Sequence, residues 1–120
     1  MKIVIPVNEN SNETTVCASF GRAPYFLIYD TKNQTEEYVK NLAADAQGGA
    51  GIKAAQFIVD SGADALLTVR CGQNAADVLN AAGVKIYKTS SDKVDENLKD
   101  FAEGKLEAIT QFHAGFHGRQ

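Results

Sequence analysis

The residues able to do chemistry fall in three short segments and a C-terminal histidine pair. Gly48-Gly-Ala-Gly51 stands immediately before a predicted helix. Glycines let the backbone approach a ligand closely. The first N–H groups of a helix lack intrahelical acceptors and lie at the positive end of its dipole. Gly48, Gly49 and Gly51 therefore suit an anion; simple shaping of a loop is the alternative, with equal weight. Val69-Arg-Cys-Gly-Gln-Asn74 is the corresponding turn one helix later. It lies at the carboxyl end of a predicted strand, where open α/β sheets place ligands. Arg70 is a permanent cation there, with Gly72 and Asn74 in the same turn. Cys71 has two readings: a thiolate whose pKa the helix N-terminus lowers, or a buried structural thiol. The third segment holds Cys17, with the same ambiguity, and Phe20-Gly-Arg22, whose Arg22 is a second permanent cation. His113 and His117 suit a soft or borderline metal, although two tail histidines are more often simply solvated. No metal-ligand set is complete on spacing alone.

Two familiar nucleotide motifs are absent or weak. Gly49-Ala-Gly-Ile-Lys-Ala54 is reminiscent of a dinucleotide fingerprint, but a polar loop precedes it instead of a strand. Arg70 also stands where an acidic ribose partner would be sought. No Gly-Lys-Ser/Thr phosphate loop occurs.

The elements that must position these segments are legible from periodicity. Residues 51–68 and 72–89 read as one unit written twice, with Gly51, Ala54, Ala55, Ile58 and Gly62 aligned to Gly72, Ala75, Ala76, Leu79 and Gly83. Ala75, Val78, Leu79 and Ala82 follow helical spacing. Gly62 and Gly83 supply left-handed residues that end a helix cheaply. The apolar run 65–69 and the alternating 84–87 are then strands, joined by right-handed helical crossovers. Residues 3–7 form a continuous apolar strand, and Pro6 should sit where pairing on one side ends. Strands 25–29 and 35–39, joined by the turn cluster 30–34, form an antiparallel hairpin at one edge. Residues 8–15 and 41–47 read as polar connections. Thr89-Ser-Ser-Asp92 offers caps to a third helix carrying Val94, Leu98, Phe101 and Ala102, which ends at Gly104. The fold class is α/β, one domain over residues 1–110, followed by a flexible His/Gly tail over 111–120.

Composition narrows the function. A net charge of −3 argues against a nucleic-acid partner. No stretch approaches a membrane span or a signal peptide. Two cysteines make no disulfide framework, so the expected setting is cytoplasmic, with reduced thiols.

Several stretches, in combination and order, are similar to the dinitrogenase iron–molybdenum cofactor biosynthesis family. They are Met1-Lys-Ile-Val-Ile-Pro-Val7, Phe20-Gly-Arg-Ala-Pro-Tyr-Phe26, Gly48-Gly-Ala-Gly-Ile52, Gly72-Gln-Asn-Ala75 and Ala82-Gly-Val-Lys-Ile-Tyr87, with the third helix. The resemblance implies a ribonuclease H-like fold, a mixed five-stranded sheet flanked by helices. It implies a non-enzymatic protein that binds, stores or carries an anionic molybdenum-containing metal–sulfur cluster. That cluster is an iron–molybdenum cofactor precursor or a molybdenum–copper sulfide, the latter as in the family's orange protein. It further implies cofactor-assembly or ATPase partner proteins. Members often carry His directly before Phe-Gly-Arg, as a suspected ligand; here that position is Ser19.

A polyanion with sulfide acceptors suits backbone N–H groups together with Arg22, Lys53 and Arg70. The expected site is a depression between the 17–22 loop and the turns at 48–51 and 70–74. Cys17, Cys71, His113 and His117 are its candidate direct ligands. The alternative is a regulatory protein-interaction domain without metal. A nuclease is disfavoured, because residues 3–7 carry no carboxylate for two-metal catalysis.

Overall fold

The computed structural model describes residues 1–110, so the expected tail, with His113 and His117, lies outside the described residues. Lys2–Val7 (β1) is the central strand. On one side it pairs antiparallel with Tyr25–Asp30 (β2), which pairs antiparallel with Thr35–Lys40 (β3). On the other side it pairs parallel with Ala65–Thr68 (β4), which pairs parallel with Lys85–Lys88 (β5). The sheet order is β3-β2-β1-β4-β5. This is the mixed sheet with an antiparallel hairpin edge that the apolar runs and the turn cluster predict.

Central position explains why residues 3–7 are apolar without alternation, since both faces of β1 are covered. Ala50–Asp60 (α1) and Gln73–Ala81 (α2) lie on one face. Ala54, Ala55 and Ile58 from α1, with Ala75, Ala76 and Leu79 from α2, pack on Val4, Phe26, Leu66 and Ile86. Val94–Ala102 (α3) covers the other face, where Val94 joins Ile3, Ile5, Val7, Leu27 and Leu67. Pairing of β1 with β4 is recorded only at Ile3 and Val4. Beyond it the Pro6 carbonyl accepts the Cys17 N–H at 2.8 Å. Proline thus falls where the ladder on that side has ended.

Several expectations need correction. The two repeat copies are offset: Gly72 precedes α2, but α1 begins at Ala50, so Gly51 lies inside the first turn of α1 rather than before it. Both copies do end on left-handed glycines, Gly62 and Gly83, each with φ 82°. The connections are not uniformly polar surface. Thr14 is buried and its Oγ1 accepts the Glu9 N–H at 2.7 Å, while Asn41 and Ala43 are buried in the 41–47 segment. The caps of α3 do not come from 89–92 alone. Lys93 occupies the cap position, and the buried Asn97 reaches back instead, donating to the carbonyls of Ser91 and Lys93 and accepting the Ser90 N–H. Finally, Leu106 is buried and residues 107–109 run antiparallel along β5, with Ile109 N–H donating to the Ile86 carbonyl at 2.8 Å.

Candidate functional site

A cavity of about 530 Å³ opens at the carboxyl end of β4. Its wall is built from residues 18–22, 49–52, 70–72 and 74–75, so the three segments singled out by their chemistry converge on one depression. Two helices start there. Gly49, at φ 68°, turns the chain into α1, and Gly72 leads into α2; neither helix has a side-chain cap or an acidic residue in its first turn. By contrast α3, on the other face, carries Asp95 and Glu96 in its first turn. Intrahelical bonding begins with Lys53 N–H to Gly49 O and Ala76 N–H to Gly72 O. That leaves the N–H groups of Ala50, Gly51, Ile52, Gln73, Asn74 and Ala75 without an acceptor among the described residues.

Charge follows the same pattern. Among the described residues no carboxylate lines the cavity, although the chain is net negative. Arg22 and Arg70 are both in the wall, both exposed, and neither is paired with a carboxylate among the described residues. Arg22 is partly committed: its Nη1 donates to the carbonyls of Ala44 at 2.9 Å and Ala46 at 2.7 Å.

The wall is held at close quarters. A Cβ at Gly21 would lie 2.9 Å from both Cα and N of Gly51, so only glycine lets the 18–22 loop touch the first turn of α1. Gly51 itself faces Ala75 of α2, with an ordinary 3.7 Å between its would-be Cβ and the alanine methyl. Small residues on α1 and α2 therefore let the two helix starts approach each other.

Of the expected binding residues, Arg22, Gly49, Gly51, Arg70, Gly72 and Asn74 line the cavity, as does Cys71. Gly48 and Lys53 do not. Gly48 borders open space, and Lys53 is exposed on α1 just beyond Ile52. Cys17 is also outside the wall: it packs against the core and its Sγ–H donates to the Ser19 carbonyl at 3.6 Å. Cys71 lines the cavity, but its surroundings favour the neutral thiol over the thiolate. The residue is 4% exposed, and burial pushes its thiol up to about 11. No group of three or more His, Cys, Asp or Glu side chains able to hold a metal occurs among the described residues.

Ser19 and Gly21 lie within the 17–22 loop expected to bound the site but are not among the residues expected to bind, and Ile52 and Ala75 are not expected in the wall. Sequence reasoning also passed over Asn41, which ties the wall in place. Gly21 carried the one usable signal, a glycine between two larger residues in a loop. Asn41 carried none.

Fold and site together define a small α/β domain with an electropositive cavity at the carboxyl edge of its sheet. The chain belongs to the dinitrogenase iron–molybdenum cofactor family, whose model matches residues 1–104. It is 32% identical over 110 residues to the uncharacterised protein MJ0580 of Methanocaldococcus jannaschii, covering 89% of this chain and 90% of that one. Among solved structures it is similar to the apo form of the orange protein from Desulfovibrio gigas. The TM-score there is 0.85 at 32% identity, over 91% of this chain and 92% of that one. It is also similar to TM1290 from Thermotoga, with TM-score 0.81 at 38% identity over 96% and 98% of the two chains.

Proposed function

We propose that this protein binds, and stores or carries, an anionic molybdenum-containing metal–sulfur cluster in the cavity at the carboxyl end of β4. The cargo is an iron–molybdenum cofactor precursor or a molybdenum–copper sulfide. In this reading the sheet is a ribonuclease H-like platform, the role is non-enzymatic and cytoplasmic, and cofactor-assembly or ATPase proteins are the exchange partners. One observation carries the reading. Among the described residues, two helix N-termini without side-chain caps and two arginines without carboxylate partners meet at a wall that holds no carboxylate.

The chemistry of that donor set fits a polyanion. Sulfide and oxide ligands are acceptors only, and the wall offers N–H groups and guanidinium. A volume of about 530 Å³ is ample for a compact cluster. With no three-ligand metal set among the described residues, the cluster arrives with its own bridging ligands and is held by hydrogen bonds and charge. Cys71 in the wall is the first candidate for a direct bond; Cys17, His113 and His117 are the others, and single substitutions sort them. Family membership and the likeness to the orange protein support the cofactor-related role.

The test is optical. Titration with tetrathiomolybdate and copper(I) should produce saturable charge-transfer bands. Arg70→Ala should weaken uptake by roughly tenfold to a hundredfold, the equivalent of one charge-assisted hydrogen bond of about 1.5–3 kcal/mol, with unchanged far-UV circular dichroism. Absence of bands, or an Arg70→Ala protein indistinguishable from the unaltered one, would count against this site and leave the metal-free interaction domain as the reading to pursue.

A further inference from the structure

Asn41 follows directly on β3, in a segment whose composition reads as a plain connection, yet it is only 3% exposed. Its Nδ2 donates to the carbonyls of Gly21 at 3.1 Å and Ala23 at 2.9 Å, and its Oδ1 accepts the Ala43 N–H at 3.0 Å. Its backbone N–H donates to the Pro24 carbonyl at 3.0 Å. Both amide protons and the amide oxygen are thus engaged.

Arg22 lies between the two carbonyls that Asn41 holds, and it returns the grip. Its Nη1 donates to Ala44 and Ala46 in the segment that Asn41 begins. The result is a reciprocal clasp: an amide from one segment and a guanidinium from the other each bind two carbonyls across the join. Gly21, inside the clasp, is pressed on the first turn of α1. Nη1 is the anchoring end of the guanidinium. Nε and Nη2 make no hydrogen bond within the described residues, and Arg22 lines the cavity.

We propose that Asn41 is a positioning residue for the anion site, acting through Arg22. It fixes the 20–23 wall and the guanidinium against the N-terminal turn of α1 before any ligand arrives. This deepens the anion-binding reading above and rests on it. Ordering is completed on folding, so a ligand meets donors already aimed and loses less entropy on binding. A lysine in place of Arg22 keeps the charge but not the planar fork that can hold two carbonyls and still present N–H groups elsewhere.

A double-mutant cycle with tetrathiomolybdate as the probe tests this, each variant being measured below its own unfolding transition. Asn41→Ala and Arg22→Ala should each weaken binding by roughly tenfold, and the double variant should bind within about twofold of Arg22→Ala alone. Arg22→Lys should bind about as weakly as Arg22→Ala. Should Asn41→Ala fail to fold, Asn41→Ser, whose hydroxyl keeps one donor, takes its place in the cycle. A folded Asn41 variant with unaltered affinity, losses that multiply in the double variant, or full affinity in Arg22→Lys would each overturn the positioning role. If Arg70→Ala weakens binding while the cycle shows no coupling, only this inference fails. If the unaltered protein takes up no probe, both fall together.

Discussion

Alanine at Gly21 should destabilise the protein by about 1–3 kcal/mol, the usual range for overpacking a closely packed contact. The added methyl would sit 2.9 Å from Cα and N of Gly51 and 3.2 Å from the carbonyl carbon of Ala50. Carbon atoms rest at about 3.5–4.0 Å, so a gap of roughly half an ångström or more must open. The obstacle is helix backbone, which cannot rotate aside as a side chain would. Retreat of the loop would strain the hydrogen bonds from Asn41 and Arg22 that hold it. At this chain length each kcal/mol moves Tm by roughly 4 °C, so thermal unfolding followed by circular dichroism should show a fall of roughly 4–12 °C. Two neighbours serve as controls. At Gly48 a Cβ meets nothing within 4 Å, and alanine there should leave Tm unchanged or raise it slightly, because the unfolded chain loses freedom. At Gly49 the space is equally open but φ is 68°, and alanine should cost about 1–2 kcal/mol through backbone strain alone. A Gly21→Ala protein that melts with or above Gly48→Ala would show that the loop and α1 are not in the contact described.

Three further outcomes follow from the same geometry. The Cys71 thiol is raised from 9.0 to about 11 by burial, so the neutral form is favoured by folding. Its contribution is fully present below pH 9 and is lost as pH rises toward 11, about 2–3 kcal/mol in all. Urea denaturation between pH 8 and 10.5 should show a steeper decline for the unaltered protein than for Cys71→Ala; parallel curves would contradict the assigned burial. Asn97→Ala strands the Ser90 N–H and the Ser91 carbonyl, while the Lys93 carbonyl keeps the backbone N–H of residue 97; it should cost about 2–4 kcal/mol, yet leave probe affinity intact because α3 lies on the opposite face. A loss below about 1 kcal/mol would mean water replaces the amide readily. Lys53→Ala should change probe affinity by less than about threefold, since an exposed charge outside the wall is screened; an effect equal to that of Arg70→Ala would mean Lys53 reaches the ligand after all.

Much of the architecture was legible in the order of residues alone. The unbroken apolar run in β1 demanded cover on both faces. The turn cluster after Tyr29 demanded a hairpin, and the two helix–strand units demanded parallel strands, because short-range periodicity reports which face is buried. The same logic brought the 17–22 loop and the turns at 48–51 and 70–74 to one end of the sheet, since the two turns precede helices one repeat apart. What local pattern does not encode is decided by contacts between distant residues. Asn41 belongs to a segment that looks like a polar connection and Arg22 to a loop marked only by its charge, and only folding brings each beside carbonyls of the other's segment. Lys53 and Ile52 are adjacent in sequence, but the turn of α1 sets one in the wall and the other outside it. For Cys71, position beside a helix N-terminus argued for a thiolate, while desolvation argued for a neutral thiol. The balance depends on how completely the core and the 70–72 turn exclude water, and the burial of Cys71, which raises its thiol pKa, shifts it toward the neutral form.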